Sequence, residues 1–315
     1  MTMTHVHLLL NHVPTIGTAI ALGLLVISHF RRNDDLRRVS LEVFFVIALL
    51  TIPAYLSGVS AQQILLERPD INQPFVDAHH DAAMWAFVLM QISGGFAWLA
   101  LWKYRRTSRM SQPLLALVLL LSALAFAVSA RAANLGGEIR HPEILVDAVA
   151  AEDGGLGTDP AWITAKDVGR WVTDRIYVWP ASEALHFIGL FLILGIILLV
   201  NLRLLGFMRA VPYSALHRLL PWAALGFAVN TITGMLFVTA TPDQYAMNVS
   251  FLWKIVFLVV AGLNLLYATV FEGPWHVEAG RRAPLRVQVA GASAIIAWVG
   301  VMYFGRMLPF LGNAF

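Results

Sequence analysis

Cysteine is absent from all 315 residues. Its absence excludes a C-x-x-C-H haem attachment, a cysteine-ligated iron–sulfur cluster, a thiolate metal site and any disulfide. A bound metal must therefore be held by His, Met or carboxylate. Charge is scarce as well: 13% of residues are charged and 58% are hydrophobic, where soluble domains carry roughly 25% charged residues. In their place are apolar runs of about 20 residues, long enough to cross ~30 Å of hydrocarbon as helices. Eight are expected, at about 8–30, 41–63, 81–102, 112–134, 182–202, 219–240, 249–271 and 288–309. No water inside a bilayer satisfies the backbone, so each must be helical. These runs lack the polar face that a large soluble helical protein would give them.

The expected fold is an all-α integral membrane protein with eight transmembrane helices arranged as two four-helix bundles. Residues 1–142 form the first, 143–180 a connecting segment and 181–315 the second. Residues 1–10 carry no Lys or Arg, and no A-x-A-like site follows the first apolar run, so span 1 is expected to stay in the membrane. Basic clusters follow spans 1, 3, 5 and 7 ("RRNDDLRR", "WKYRRTSR", "NLRLLGFMR", "EAGRRAPLR"). Cytoplasmic loops collect Lys and Arg, which implies a bacterial inner membrane with both termini periplasmic. Trp98, Trp102 and Trp275 are expected as aromatic anchors at the inner ends, and Trp179 and Trp253 at the outer ends. The slightly positive net charge belongs to these loops and gives no reason to expect nucleic acid as a partner.

The two halves look like distant repeats. A slide of 168 residues sets Trp85 on Trp253 and Gly94 on Gly262, while "YLSGV" in span 2 and "TITGM" in span 6 align Gly58 with Gly234 at a different offset. Between the halves, residues 136–180 carry eight acidic and four basic side chains. Within them, Asp159 and Pro160 are suitable N-cap and first-turn residues for a short helix with Val168, Trp171, Val172 and Arg175 on one face. That helix is expected on the outer membrane surface, with an ordinary folded loop as the alternative.

Histidines gather at one membrane level. His7 and His12 open span 1, His79 and His80 open span 3, His141 lies just beyond span 4, and His186 sits near the outer end of span 5. Ionisable residues within membrane spans are functional by default. Two neutral imidazoles from facing helices are what a six-coordinate haem needs, and at a rise of ~1.5 Å per residue His12 and His80 fall at similar depth. They are the expected axial pair, with His79 and His141 as reserves. Neighbours on a helix point about 100° apart, so one of His79 and His80 should face the bundle, and His80 is preferred. Arg131 and Arg140 are candidates for the propionates. In the second half, His186 with Met235, Met247 or His141 would serve a second haem, with Lys254 on a propionate. Glu183 and Asp81 are candidate acceptors of a quinol proton. His5, His29, His217 and His276 are expected as ordinary interfacial histidines.

"HLLLNHVPTIG" resembles the opening of an uncharacterised bacterial membrane family whose members begin with HPxxVHFP-like sequences. That family closes its fourth span with a GGxLVYxHG-like motif. In "NLGGEIRHPEI", Gly136 and Gly137 match and Ile139 stands for the leucine. His141 falls where the family has an aromatic residue, and Glu143 falls where it has a histidine. The likeness covers about residues 5–142. "LHFIGLFLILGIILLVNLRLLG", "LLPWAALGFAVNTITGMLF" and "YAMNVSFLWKIVFLVVAGLN" are similar to the signature stretches of a second uncharacterised family, over about residues 183–271. The first likeness implies haem as a ligand, and the two together point to His12 and His186.

These readings converge on a b-type cytochrome with one or two haem b groups, linking the quinone pool to a periplasmic redox protein. The alternatives from other classes are a non-catalytic anchor or assembly subunit of a larger membrane complex, and copper or haem handling, since His and Met also suit copper.

Overall fold

The computed structural model describes residues 3–66, 73–140 and 163–311. Every regular element among them is helical, and eight helices are long and apolar enough to cross a membrane. The protein is an all-α integral membrane protein whose helices meet the lipid bilayer. Its contacts divide it into two units, residues 1–104 with 109–168, and residues 169–315 with 105–108.

In the first unit, α1 (Met3–Leu10) and α2 (His12–Arg31) together make the first span. They are separate helices because Pro14 has no N–H to donate to the carbonyl four residues earlier; its place in the first turn of α2 is one a proline tolerates. At Arg32 the backbone turns left-handed (φ 49°) and its N–H closes on the carbonyls of Ser28 and His29. Asn33 Oδ1 then accepts from Leu36 N at 3.0 Å, which starts α3 (Asp34–Leu66). The unit is completed by α4 (Gln73–Thr107) and α5 (Gln112–Arg140). Small residues set the spacing. A Cβ on Gly17 would stand 2.8 Å from Ile47 Cδ1, and one on Gly94 would overlap Ala48. Such close approach is how apolar helices associate in lipid, where burial of apolar area supplies no net drive. Ser40 Oγ donates to Ala21 O at 2.7 Å and Gln91 Nε2 to Ala48 O at 2.8 Å, each worth about 0.6 kcal/mol between membrane helices. α4 is enclosed by its neighbours. Trp98 is accordingly 2% exposed, so it packs the unit's interior and is not the anchor expected of it.

The connecting segment ends on α4. Asp77, Asp81 and Trp85 are spaced four apart and share one face. Lys166 Nζ pairs with Asp77 at 2.6 Å, Ala165 N donates to Asp81 at 2.7 Å, and Trp85 Nε1 donates to Ile163 O at 3.1 Å. This starts α6 (Ala165–Asp174). Thr164 and Asp167 cap it reciprocally, Asp167 N donating to Thr164 Oγ1 at 3.1 Å and Thr164 N to Asp167 Oδ2 at 3.2 Å. The cap is therefore Thr164; the expected capping residues Asp159 and Pro160 lie outside the described residues. Ala165 and Val172 are buried in protein while Trp171 is half exposed, so α6 rests on the helices as well as facing outward.

In the second unit, α7 (Val178–Leu204), α9 (Leu220–Ala240), α11 (Val249–Val270) and α13 (Leu285–Arg306) cross the membrane, with short turns α8 (Tyr213–Leu216), α10 (Pro242–Ala246) and α12 (Glu272–Trp275) between them. α7 and α9 cross glycine on glycine: a Cβ on Gly189 would stand 2.9 Å from Gly226 O, and one on Gly226 2.8 Å from Gly189 O. Asn248 caps α11, accepting from Ser250 N at 3.0 Å, and donates to Leu308 O at 2.9 Å. At the opposite end Arg203, fully buried, donates to the carbonyls of Val211, Glu278 and Arg281 and so ties two connections together. His217 is buried against Tyr213 and Trp275, with ring centroids 5.8 and 4.4 Å away. It is a packed interior side chain where the sequence pointed to an interfacial one.

Candidate functional site

In the first unit the beginnings of α1 and α4 and the ends of α3 and α5 lie at one level, and three imidazoles converge there. The His7 ring leans on α3: Nδ1 is 3.1 Å from Ala54 O, and a Cβ on Gly58 would stand 2.9 Å from the ring carbon Cε1. The His79 ring leans on α5 in the same manner, with Nδ1 2.8 Å from Ala132 O and a Cβ on Gly136 reaching to 3.0 Å from Cε1. Each ring thus uses a carbonyl and, one turn on, a glycine that leaves room for it. A carbonyl oxygen only accepts, so each Nδ1 carries the proton and each Nε2 presents a lone pair. An imidazole oriented by Nδ1–H on a carbonyl, with Nε2 left as a base, is the usual state of a metal-ligating histidine.

His80 faces another way. Its Nε2 lies 3.0 Å from the hydroxyl of the buried Tyr55, whose ring packs on Phe87 with centroids 5.0 Å apart. The rotation between neighbours sends His79 to α5 and His80 to α3, and both point inward. Of the expected axial pair, His80 meets the Tyr55 hydroxyl and His12 is exposed at the start of α2. Depth along the span does not tell which face meets α3; the imidazole that reaches α3 is that of His7. The signal that could have found His7 is the pair Ala54 and Gly58, repeated as Ala132 and Gly136. Arg131, next to Ala132 on α5, is exposed; His141 and the side chain of Arg140 lie outside the described residues. Asp81 is engaged in starting α6, which leaves one carboxylate oxygen already accepting a backbone N–H.

In the second unit, His186 on α7 places Nδ1 2.8 Å from Thr233 Oγ1 on α9. Asn230 Nδ2 donates to His186 O at 3.1 Å, and a Cβ on Gly234 would stand 3.7 Å from the His186 ring. A first-span histidine against a second-span glycine therefore occurs in both units, which gives physical content to the sequence match of Gly58 with Gly234. Lys254 on α11 is near enough for its charge to act on His186. Met247 is 62% exposed. Glu183 is exposed; burial and, secondarily, the charge of this carboxylate push the Tyr245 phenol up to about 12.

No group of three or more His, Asp or Glu that could hold a metal ion occurs among the described residues. No family model, curated protein or solved structure matches the chain.

Proposed function

We propose that the chain is an integral-membrane b-type cytochrome in a bacterial inner membrane, with His7 and His79 as axial ligands of one non-covalent haem b. It passes electrons from the quinone pool to a redox partner on the periplasmic side. The observation that carries this reading is the twice-built arrangement of imidazole, carbonyl and glycine, which leaves two Nε2 lone pairs at one level of a membrane bundle. Two imidazoles are too few to hold a bare metal ion well but are the full axial set for a macrocycle that brings its own four nitrogens. The absence of cysteine makes the attachment non-covalent.

The bound haem would supply a one-electron couple. The protein's part is to hold and aim. Ala54 O and Ala132 O fix the tautomer and direction of the two rings, and hydrogen bonding at Nδ1 raises the basicity of each Nε2. Gly58 and Gly136 admit the rings flat against their helices. The basic connections lie at the other end of each unit, so the positive-inside rule puts the His7 end at the periplasm.

The test is purification in mild detergent from haem-replete cells. The expected product is red, releases haem b into acid acetone and retains no covalent haem. A colourless product with no extractable haem contradicts the proposal.

A further inference from the structure

The second unit contains a polar pair inside its membrane span that the haem reading does not use. Thr233 Oγ1 lies 2.7 Å from Val229 O and 3.3 Å from Asn230 O. A hydroxyl has one proton, and here it goes to a carbonyl one turn back. Toward His186 the same oxygen is therefore the acceptor, so His186 Nδ1 carries the proton and Nε2 is a free base. Asn230 holds the backbone beneath the ring. His186 is nine residues into α7, about 12 Å along it at the rise of an α-helix.

Lys254, six residues into α11, faces the same level. No carboxylate pairs with it among the described residues. An ammonium in a membrane span normally pairs with an anion or a carbonyl, or marks a ligand pathway. α13 presents Gly305 to it: a Cβ there would stand 3.7 Å from both Cε and Nζ of Lys254, an ordinary packing distance. Beside the imidazole, α9 presents Gly234. Aromatic rings belong to the same helices. Phe237 lies with its ring centroid 5.8 Å from His186, and Phe304 stacks between Trp253 and Phe257 at 6.1 and 5.6 Å.

A basic nitrogen and a charged donor, set among flat rings at membrane depth, ask for a flat apolar ligand with oxygens at its edge, one of them able to donate. We infer that the second unit binds the headgroup of an isoprenoid quinone, His186 Nε2 accepting from the quinol hydroxyl and Lys254 donating to a headgroup oxygen. A second haem is disfavoured here: no other imidazole stands at this end of the unit among the described residues, His217 and His276 being at the other. The inference deepens the proposed electron path by naming where the reductant docks, but the binding itself needs no haem.

The experiment is calorimetric titration of the whole purified protein in detergent with decyl-ubiquinone. Wild type should bind saturably. His186→Gln and Lys254→Met should each bind about tenfold more weakly, the loss expected for one hydrogen bond to a buried or charged group. Lys254→Arg, which keeps the charge, should bind closer to wild type. Thermal unfolding of each variant shows that it is folded. Photolabelling of wild type with an azido-quinone removes the dependence on variants and should mark peptides of α7, α9 or α11. No saturable binding, wild-type affinity in both folded variants, label confined to the first unit, or displacement of the quinone by equimolar oleate each overturns the site. Colourless protein that binds quinone would refute the haem and leave this site standing; red protein that does not bind it would do the reverse.

Discussion

An imidazole has two nitrogens, and whatever holds one decides what the other can do. At His7 and His79 a carbonyl holds Nδ1, so both Nε2 atoms are lone pairs; at His80 the tyrosine hydroxyl takes Nε2. This difference separates a free imidazole nitrogen from an engaged one more sharply than depth does, and it could not be read in the sequence. There the histidines are alike and their level alone is legible. The choice between His12 and His7 turns on which face of the first span meets α3, and hydropathy does not register that. Gly58 and Gly136 carry the residue-scale prediction. Leucine at either position must displace an imidazole ring that stands about where its first side-chain carbon would go. Overpacking of this kind costs typically 1–3 kcal/mol. Gly136→Leu is expected to lose the low-spin haem signal, while Gly137→Leu, whose Cβ would meet nothing within 4 Å, keeps it. Absorption spectra of the two variants, normalised to protein, decide the matter.

At the scale of elements, the eight spans were legible because ~30 Å of hydrocarbon demands a length and an apolarity that few other structures share. What the sequence did not disclose is which faces meet. α4 illustrates the reason. Its stripe of Asp77, Asp81 and Trp85 reads as a polar entry to a span, and Asp81 as a proton acceptor, until α6 is seen to start on it. Asp81 then acts as an anchor for a helix N-terminus, where a carboxylate also meets a favourable dipole. Asp81→Ala is expected to lose about 1 kcal/mol of local stability, as for a lost N-cap. Hydrogen exchange should quicken in residues 163–174 and leave α4 and the haem spectrum unchanged. An unchanged exchange pattern in α6 with an altered spectrum would return Asp81 to the site.

On the scale of the whole molecule, the chain makes two units of four spans, and each sets a first-span histidine against a second-span glycine. The division after Val168 falls inside the expected connecting segment 143–180, because residues 163–168 are bonded to α4. With four spans in each unit, both termini lie on one side of the membrane. Reporter fusions after Phe30 and after Phe315 should therefore give opposite answers, cytoplasmic for the first and periplasmic for the second. The same compartment for both would remove the eight-span topology.

The central claim is that His7 and His79 share one haem, and the reduced-minus-oxidised visible spectrum of three single variants tests it most directly. His7→Ala and His79→Ala should each shift the purified protein to a high-spin spectrum or empty it of haem, because either change removes one of two axial nitrogens. His12→Ala, at an exposed position, should be indistinguishable from wild type. A low-spin spectrum retained in His7→Ala and in His79→Ala, or lost in His12→Ala alone, would contradict the account.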